Sequence, residues 1–337
     1  MQLLDVPVID IAPFLRGAPA DKARVAEQVG RACRDIGFLV IQGHGVDRGL
    51  SERMRAVSRA FFDLPLAEKA RVARPAKDVA RGYIALDEES LARSRDPGAY
   101  GSDLNESLMI GPVDRPPAAY ADAPAAGRHF APNLWPERPA ELRETWTAYY
   151  GTMGSLAASL MRIFALALGL PQAFFDAKID KHISRLRVRN YPAQRVAPAP
   201  GQIRAGAHSD YGSLTILATE DKPGGLQVCN GDGEWVDVPI VDDCLIVNIG
   251  DLLARWTNDT WVSTLHRVVN PPAGAGAESR RQSLVFFHNP NYDAVIESLV
   301  PDAPAKYPRT TSGEHLRQLF TATQNAAQDG ASAPYRG

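Results

Sequence analysis

The sequence has few cysteines, no long uninterrupted apolar run and no excess of charge of either sign. Its three cysteines, Cys33, Cys229 and Cys244, show no C-x-x-C spacing, which argues against a disulfide framework or a zinc ribbon. No segment offers the roughly 18 consecutive apolar residues of a membrane span, and no export signal is recognisable. The formal net charge of −2 includes no basic stripe for nucleic acid. We expect a cytoplasmic monomer that binds neither membranes nor nucleic acid.

The first part of the chain predicts a mixture of strands and helices. Short apolar runs at 6–10 and 37–41 predict strands, and apolar residues at helical spacing predict helices over 21–36 and 48–62. Residues 74–139 are rich in Pro, Gly, Asp and Ser and have weak periodicity. We expect loops and short elements there, which would cover a substrate.

The second part predicts one long helix followed by a β region. Apolar residues spaced by threes and fours indicate a helix over 140–168 with one buried face. From residue 184 onward, short runs rich in Val, Ile, Leu, Thr and Phe alternate with turns, which is typical of an antiparallel sandwich or barrel without helices. The tail, 326–337, is expected to be flexible.

A set of three residues in the β region has the composition of a metal site. His208 and Asp210 are two apart on an extended segment, so their side chains project to one face. His266 lies on a later predicted strand. Two histidines and one carboxylate on one side of a metal are typical of Fe(II) oxygenases, because they leave positions open for a co-substrate and O₂. An isolated His-x-Asp motif also arises by chance.

A pair of residues on a later predicted strand favours a metal site over a chance motif. Arg281 and Ser283 open another predicted strand and share a face by the same two-residue period. The planar guanidinium of Arg281 matches a carboxylate, and Ser283 adds a hydroxyl. A dicarboxylate could therefore span from the metal to Arg281, which favours the metal-site reading.

Short motifs recur in a fixed order along the chain. The β region carries GAHSDYG from Gly206, GLQV from Gly225, NIGD from Asn248, WTN from Trp256, HRV from His266 and RQS from Arg281. The N-terminal half adds VPVID, GFLVI and HGV. Together these motifs resemble the isopenicillin N synthase-like family of 2-oxoglutarate- and Fe(II)-dependent dioxygenases, over nearly the whole chain. The segment Tyr191-Pro-Ala-Gln194 departs from the plant members, which puts a plant-type substrate in doubt.

The resemblance implies a mainly β fold, a double-stranded β-helix or jelly roll with an α/β N-terminal region packed around it. The corresponding segments are 1–139 for the N-terminal region, 140–183 for the bracing helix and its connection, and 184–325 for the catalytic core. It further implies Fe(II) at His208, Asp210 and His266, with 2-oxoglutarate as co-substrate held by Arg281 and Ser283. The activity would be O₂-dependent oxidation of a small molecule, with release of succinate and CO₂.

Several further residues match family positions near the ligands. Asn190 and Tyr191 would face the co-substrate or substrate, although Tyr191 could equally be a packed residue at a strand end. The residues expected to face the substrate are Tyr83, Asn105, Ser107, Leu226, Phe287 and Tyr292. Their mixture of aromatic and polar groups indicates a small or medium organic molecule.

Two other functions remain open from the sequence. Isopenicillin N synthase uses the same type of triad and an Arg-x-Ser pair without 2-oxoglutarate. A jelly-roll binding protein with no metal, or with a structural metal, is the alternative from another class. Iron content and succinate release would distinguish the three.

Overall fold

The structure is a computed structural model that describes residues 6–76, 79–86, 88–92, 102–113, 120, 129–300 and 303–329, with side chains described to residue 321. Its framework is two sheets. The larger has eight strands in the order β1-β2-β10-β7-β12-β5-β4-β3, and the smaller has four in the order β6-β11-β8-β9. Among these strands, only β1 and β2 pair in parallel. Strands β13 and β14 form a separate pair. The strands are β1 (Val8–Asp10), β2 (Phe38–Gln42), β3 (Gly82–Ile84), β4 (Glu106–Ile110), β5 (Arg185–Tyr191), β6 (Ala205–His208), β7 (Leu214–Thr219), β8 (Leu226–Cys229), β9 (Trp235–Asp237), β10 (Leu245–Ile249), β11 (His266–Val268), β12 (Arg281–His288), β13 (Val295–Ile296) and β14 (Thr310–Thr311).

The described residues form eight α-helices. They are α1 (Ala12–Arg16), α2 (Pro19–Asp35), α3 (Arg48–Phe62), α4 (Leu66–Lys69), α5 (Leu142–Ala167), α6 (Asp176–Ile179), α7 (Asp251–Trp256) and α8 (Ser312–Asp329). Helices α2 and α3 pack on α5, whose apolar face is buried along its length. Asp47 fixes the start of α3, since its carboxylate accepts hydrogen bonds from the Gly49 and Leu50 amides. Within the described residues, no helix is long and apolar enough to cross a membrane.

Strand periodicity gives the larger sheet two different faces. On β12, Leu284 and Phe286 point outward into the core formed with the helices. The alternate residues, Arg281, Ser283 and Phe287, point into the space between the two sheets. A second apolar cluster lines that space and includes Phe38 and Ile246 from the larger sheet and Val228 and Val268 from the smaller. The two sheets therefore enclose an interior with apolar walls and several polar side chains.

Strand registers align the interior side chains in rows across the larger sheet. One row runs through Asn248, Thr215, Phe287 and Arg185. A second runs through Leu217, Val285 and Arg187, and a third through Thr219, Ser283 and Arg189. Arg281 lies beside Tyr191 beyond the third row. These rows order the interior-facing residues of β5, β7 and β12 from one end of the interior to the other.

Two expectations from the sequence need correction. The β region is not without helices, because α7 and α8 lie within it. The segment 74–139 contains short elements, as expected: its strands β3 and β4 extend the larger sheet at one edge. The predicted flexible tail, 326–337, begins inside α8, which continues to Asp329, while 330–337 lie outside the described residues. Alanine and glutamine are good helix formers, which explains the longer helix.

Candidate active site

The predicted metal ligands converge at one end of the smaller sheet. His208 ends β6 and pairs in register with His266, the first residue of β11, while Asp210 follows in the turn after β6. Asp210 Oδ1 lies 3.9 Å from His208 Nε2 and 3.7 Å from His266 Nε2. One ligand atom from each residue lies within 4.8 Å of the others. The three side chains thus surround one point, as the two-residue period predicted.

Hydrogen bonds orient each of these side chains. His208 Nδ1 lies 2.7 Å from the Gly206 carbonyl oxygen, and His266 Nδ1 lies 3.1 Å from that of Thr264. A proton on each Nδ1 leaves each Nε2 with a free lone pair. On Asp210, Oδ2 accepts hydrogen bonds from Thr215 and Asn248, at 2.6 and 2.8 Å. Asp210 Oδ1 is left for a cation.

Electrostatics favour the metal-binding protonation states. Burial, together with the neighbouring His266, lowers the pKa of His208 to about 3. For Asp210, burial opposes ionisation, but the two histidines and the hydrogen bonds from Asn248 and Thr215 outweigh it and lower the pKa. Neutral imidazole and ionised carboxylate are the forms that ligate a metal. His208 and Asp210 therefore have the protonation states that bind a cation at neutral pH.

The donor set fits Fe(II). Two imidazole nitrogens and one carboxylate oxygen supply a facial set of three ligands, which leaves the opposite side of a six-coordinate ion open. A structural zinc site would require a fourth protein ligand, and among the described residues the cluster contains only these three. The arrangement suits an ion that must also bind small molecules.

A buried guanidinium lies at the other end of the interior. Arg281 is 1% exposed and donates hydrogen bonds to the Gly224 carbonyl and to the Thr219 hydroxyl. Its Nε has no hydrogen-bond partner. Ser283 Oγ lies 3.3 Å from Thr219 Oγ1, beside this guanidinium. No described residue forms an ion pair with Arg281, so this end of the interior can accept an anion.

Arg204 is a second cation here, and the sequence analysis did not identify it. It is 1% exposed and donates hydrogen bonds to the carbonyls of Pro223 and Ser279. Burial and the nearby Arg281 lower the pKa of Arg204 to about 10. The Tyr191 ring centroid is 5.6 Å from the Arg204 guanidinium carbon and 5.7 Å from that of Arg281. Tyr191 therefore packs between two guanidinium groups, as part of the anion-accepting end.

Two residues that were predicted to face ligands lie on the face of the larger sheet that packs against the helices, not on its interior face. Asn190 and Tyr83 both donate hydrogen bonds to the carboxylate of Glu106, which also pairs with Lys69 at 2.7 Å. This buried cluster faces the helices. Adjacent residues on a strand point to opposite faces, so Asn190 cannot face the interior together with Tyr191. The prediction that Asn190 and Tyr83 contact ligands is not supported by this placement.

The remaining predicted substrate residues occupy three kinds of position. Asn105 and Ser107 are buried and accept hydrogen bonds from Arg189 and Arg187 respectively, so they position arginines. Leu226 lines the apolar interior, and Phe287 is half-buried in the same row as Thr215. Tyr292 packs against the rings of Tyr120 and His129.

Comparisons with known proteins agree with this geometry. Residues 6–138 match the family model described as non-haem dioxygenase in morphine synthesis N-terminal, and residues 182–290 match the 2OG-Fe(II) oxygenase superfamily. The validamycin A dioxygenase of Streptomyces hygroscopicus subsp. limoneus is 34% identical over 87% of this chain and 79% of its own length. The homoarginine-6-hydroxylase 2-ODD-233 of Oryza sativa subsp. japonica is 31% identical over 93% of this chain and 95% of its own.

Solved structures show the same fold. A full-length Neurospora crassa protein, crystallised in complex with alpha-KG, that is 2-oxoglutarate, aligns with a TM-score of 0.82 at 33% identity, over 94% of this chain and 96% of that one. JOX2, solved in complex with 2OG, Fe and JA, aligns with a TM-score of 0.75 at 26% identity, over 98% and 90%. These likenesses establish a jelly-roll core. The chain therefore belongs to the 2OG-Fe(II) oxygenase superfamily and is a 2-oxoglutarate- and Fe(II)-dependent dioxygenase that acts on small metabolites.

Proposed function

We propose that His208, Asp210 and His266 bind the iron and that Arg281 and Ser283 hold the far carboxylate of 2-oxoglutarate. The observation that carries this assignment is the buried guanidinium of Arg281, which has an unpartnered Nε and no ion pair within the described structure. A buried charge without a counter-ion is destabilising. A carboxylate bound there would supply the missing counter-charge and acceptor oxygens.

The bound iron and 2-oxoglutarate supply the O₂-dependent oxidising chemistry, with conversion of 2-oxoglutarate to succinate and CO₂. The chain contributes orientation and exclusion of water. Thr215 and Asn248 hold one oxygen of Asp210, so the ligand set is fixed before anything binds. Arg281 fixes one end of the co-substrate, which limits its orientation at the other. Phe38 packs edge-on against His266, with 5.4 Å between ring centroids, and keeps this side of the site dry.

We propose hydroxylation of a C–H bond as the default outcome. Two of the relatives with a named substrate or ligand act on or bind small polar molecules: homoarginine for the rice enzyme and thymine for a second complex of the Neurospora crassa protein. Phe287 and Arg185 are half-buried and share a row of the larger sheet with Thr215, the residue that bonds Asp210. Desaturation and ring closure require the same ligands and differ only in how the substrate is placed.

The iron assignment is tested by His266→Ala, with His44→Ala as matched control. His44 bonds only to the Val46 amide and the Asp243 carbonyl, in a turn away from the triad. We expect His266→Ala to remain folded, to lose stoichiometric Fe(II) and to lose O₂-dependent succinate formation. Unchanged iron content in His266→Ala would overturn the assignment. Substrate turnover by the wild type without 2-oxoglutarate would instead favour an oxidase of the isopenicillin N synthase type.

We also propose that the enzyme works as a cytoplasmic monomer. The cysteines are free, which suits a reducing compartment. Among the residues whose burial is described, the exposed large apolar side chains are Val8, Leu66, Leu86, Val196 and Val241, which are well separated in the sequence. Such residues do not form the continuous apolar core of an obligate interface. Light scattering should give a mass near 36.6 kDa, and a mass of twice that value would contradict the proposal.

A further inference from the structure

The interior face of β5 carries three arginines in a row, of which two lie beside a carboxylate. Arg187 pairs with Glu89 and donates to Ser107. Arg189 lies 3.8 Å from the same carboxylate and donates to Asn105. Arg185 shares their face by the two-residue period. Within the described parts of the chain it forms no hydrogen bond or ion pair, and its one recorded contact is with the Phe320 ring, 4.7 Å from its guanidinium carbon.

Arg185 lies at the level of the metal ligands. Its neighbour across the sheet is Phe287, whose other neighbour is Thr215, the residue that bonds Asp210. Two strand spacings separate Arg185 from Thr215, about 10 Å between backbones. The flexible side chain of Arg185 can cover much of that distance, so its guanidinium can contact a small molecule placed beside the triad.

Aromatic rings surround this cation. Phe320 of α8 contacts both Arg185 and Tyr211, with 5.4 Å between the Phe320 and Tyr211 centroids. Tyr211 directly follows the metal ligand Asp210 in the chain. All four of Arg185, Tyr211, Phe287 and Phe320 are half-buried, so they line an accessible recess. Apolar walls with one polar anchor are typical of a small-molecule site.

The recess is positively charged. Arg81 is 1% exposed and donates its hydrogen bonds to the carbonyls of Ala80, His129 and Ala131. Burial and the charge of Arg81 lower the pKa of Arg185 to about 9. No described carboxylate pairs with either guanidinium. The contact with Phe320 offers a π face but no acceptor for the five N–H groups of Arg185.

The co-substrate cannot serve as the partner of Arg185. The anion-accepting end at Arg281 is opposite Tyr191, six residues from Arg185 along β5. That separation is about 20 Å at the rise of a β-strand, so the carboxylate held at Arg281 is far from Arg185. In the proposed assignment the other end of 2-oxoglutarate is bound at the metal, which leaves the guanidinium of Arg185 for a second ligand on the open side of the triad.

We propose that Arg185 anchors the primary substrate through a carboxylate, so that the enzyme oxidises a small organic acid whose body packs among Tyr211, Phe287 and Phe320. This inference rests on the proposed function, since it places the substrate beside an iron-bound 2-oxoglutarate. It also identifies a specificity-determining residue in the R-L-R-V-R pattern of 185–189. The first arginine of that pattern is reserved for a ligand, and the other two belong to the framework.

The test uses three acids with their primary amides as neutral controls: propanoate, hexanoate and benzoate. Each is titrated without oxygen into the Fe(II)-loaded enzyme that is saturated with 2-oxoglutarate, and binding is followed by calorimetry and thermal shift. We expect at least one acid to bind more tightly than its amide. In Arg185→Gln that acid should bind about ten- to a hundredfold more weakly. Arg185→Lys keeps the positive charge but loses the planar guanidinium, so it should retain part of the preference for the acid over its amide.

Arg143→Gln is the matched control, because Arg143 also lies over an aromatic ring, that of Trp135, but on the exposed surface of α5. It should bind acids as the wild type does. No preference for any of the three acids, or an unchanged preference in Arg185→Gln, would overturn the proposal. Binding of 2-oxoglutarate is measured in the same samples. If the wild type does not bind 2-oxoglutarate, the proposed function is rejected instead, so the two failures are distinguishable.

Discussion

The arginines that line the interior of the larger sheet fall into two groups. Arg187 and Arg189 meet a carboxylate, Glu89, and neutral acceptors from the same region of the chain. Arg281 and Arg185 face the same interior and have no counter-ion among the residues described. A chain that sets two of these arginines beside a carboxylate and leaves the other two without an ion pair has divided its arginines between framework and ligand binding. The predictions below test that division.

We expect the ion pairs of the framework arginines, Arg187 and Arg189, to contribute more to the free energy of unfolding than Arg281 and Arg185 do. Glu89 accepts from Arg187, and the guanidinium groups of Arg74 and Arg189 lie 3.6 and 3.8 Å from its carboxylate. Glu89→Gln removes the counter-charge of three largely buried cations, which should cost about 3–4 kcal/mol of unfolding free energy. Urea denaturation measures this loss. Affinity for 2-oxoglutarate should change little, because Arg281 is not part of this cluster, and a large loss of that affinity would break the comparison.

The same cluster predicts how stability depends on pH. Burial opposes ionisation of Glu89, but the charges of Arg187, Arg189 and Arg74 outweigh it and lower its pKa from 4.5 to about 2. The folded state therefore binds this proton more weakly than the unfolded state. The resulting stabilisation is fully present above pH 4.5 and is lost as the pH falls toward 2, by roughly 3 kcal/mol in total. Urea denaturation at several pH values gives the unfolding free energy as a function of pH. That free energy should fall less steeply toward low pH in Glu89→Gln than in the wild type, and equal slopes in the two proteins would contradict the assignment.

Replacing Ser283 tests the ligand-binding arginine Arg281 through a smaller expected loss of 2-oxoglutarate affinity. The Ser283 hydroxyl adjoins Thr219 and the Arg281 guanidinium in the proposed 2-oxoglutarate pocket. Ser283→Ala removes one neutral donor to a charged group, which should weaken 2-oxoglutarate binding by about 1.5–3 kcal/mol at most. Calorimetry of the Fe(II)-loaded protein measures this loss. A larger loss than that caused by removing the charge of Arg281 would reverse the expected ranking.

Thr215 tests whether the metal site is pre-organised. Thr215→Val keeps the shape of the side chain but removes the 2.6 Å hydrogen bond to Asp210 Oδ2. Outer hydrogen bonds of this kind contribute about tenfold in metal affinity. We expect a loss of that size in Fe(II) affinity, measured by competition with a chelator, and no loss of 2-oxoglutarate affinity once iron is saturating. An unchanged iron affinity would show that Asn248 alone orients the carboxylate.

The sequence predicted those features that depend on local periodicity. The predicted helix 48–62 matches α3, Arg48–Phe62, because an Asp cap and a following proline limit it at both ends. The convergence of His208, Asp210 and His266 followed from the two-residue period and from the order of motifs. The same period excludes Asn190 from the interior once Tyr191 faces it, so that error was avoidable from the sequence.

Other features depend on contacts between distant segments. Glu89 reaches Arg187 across 98 positions of the chain, and nothing local to either residue indicates that pairing. Helix α8 was not predicted, and its Phe320 contacts Arg185 far earlier in the sequence. Arginines alternate with apolar residues in 185–189, which places the three arginines on one face of a strand. Which of those arginines would lack a counter-ion became visible only in the folded chain.

The most direct test of the division is the affinity of Arg281→Leu for 2-oxoglutarate, beside Arg185→Leu. Loss of a charge-assisted, bidentate contact at Arg281 should cost roughly 2–4 kcal/mol, or about thirty- to a thousandfold in dissociation constant. Arg185→Leu should stay within about twofold of the wild type, because Arg185 lies about 20 Å from that pocket along β5. Calorimetric titration of the iron-loaded proteins without oxygen gives both values. Normal affinity in Arg281→Leu, or equal losses in both variants, would contradict the account.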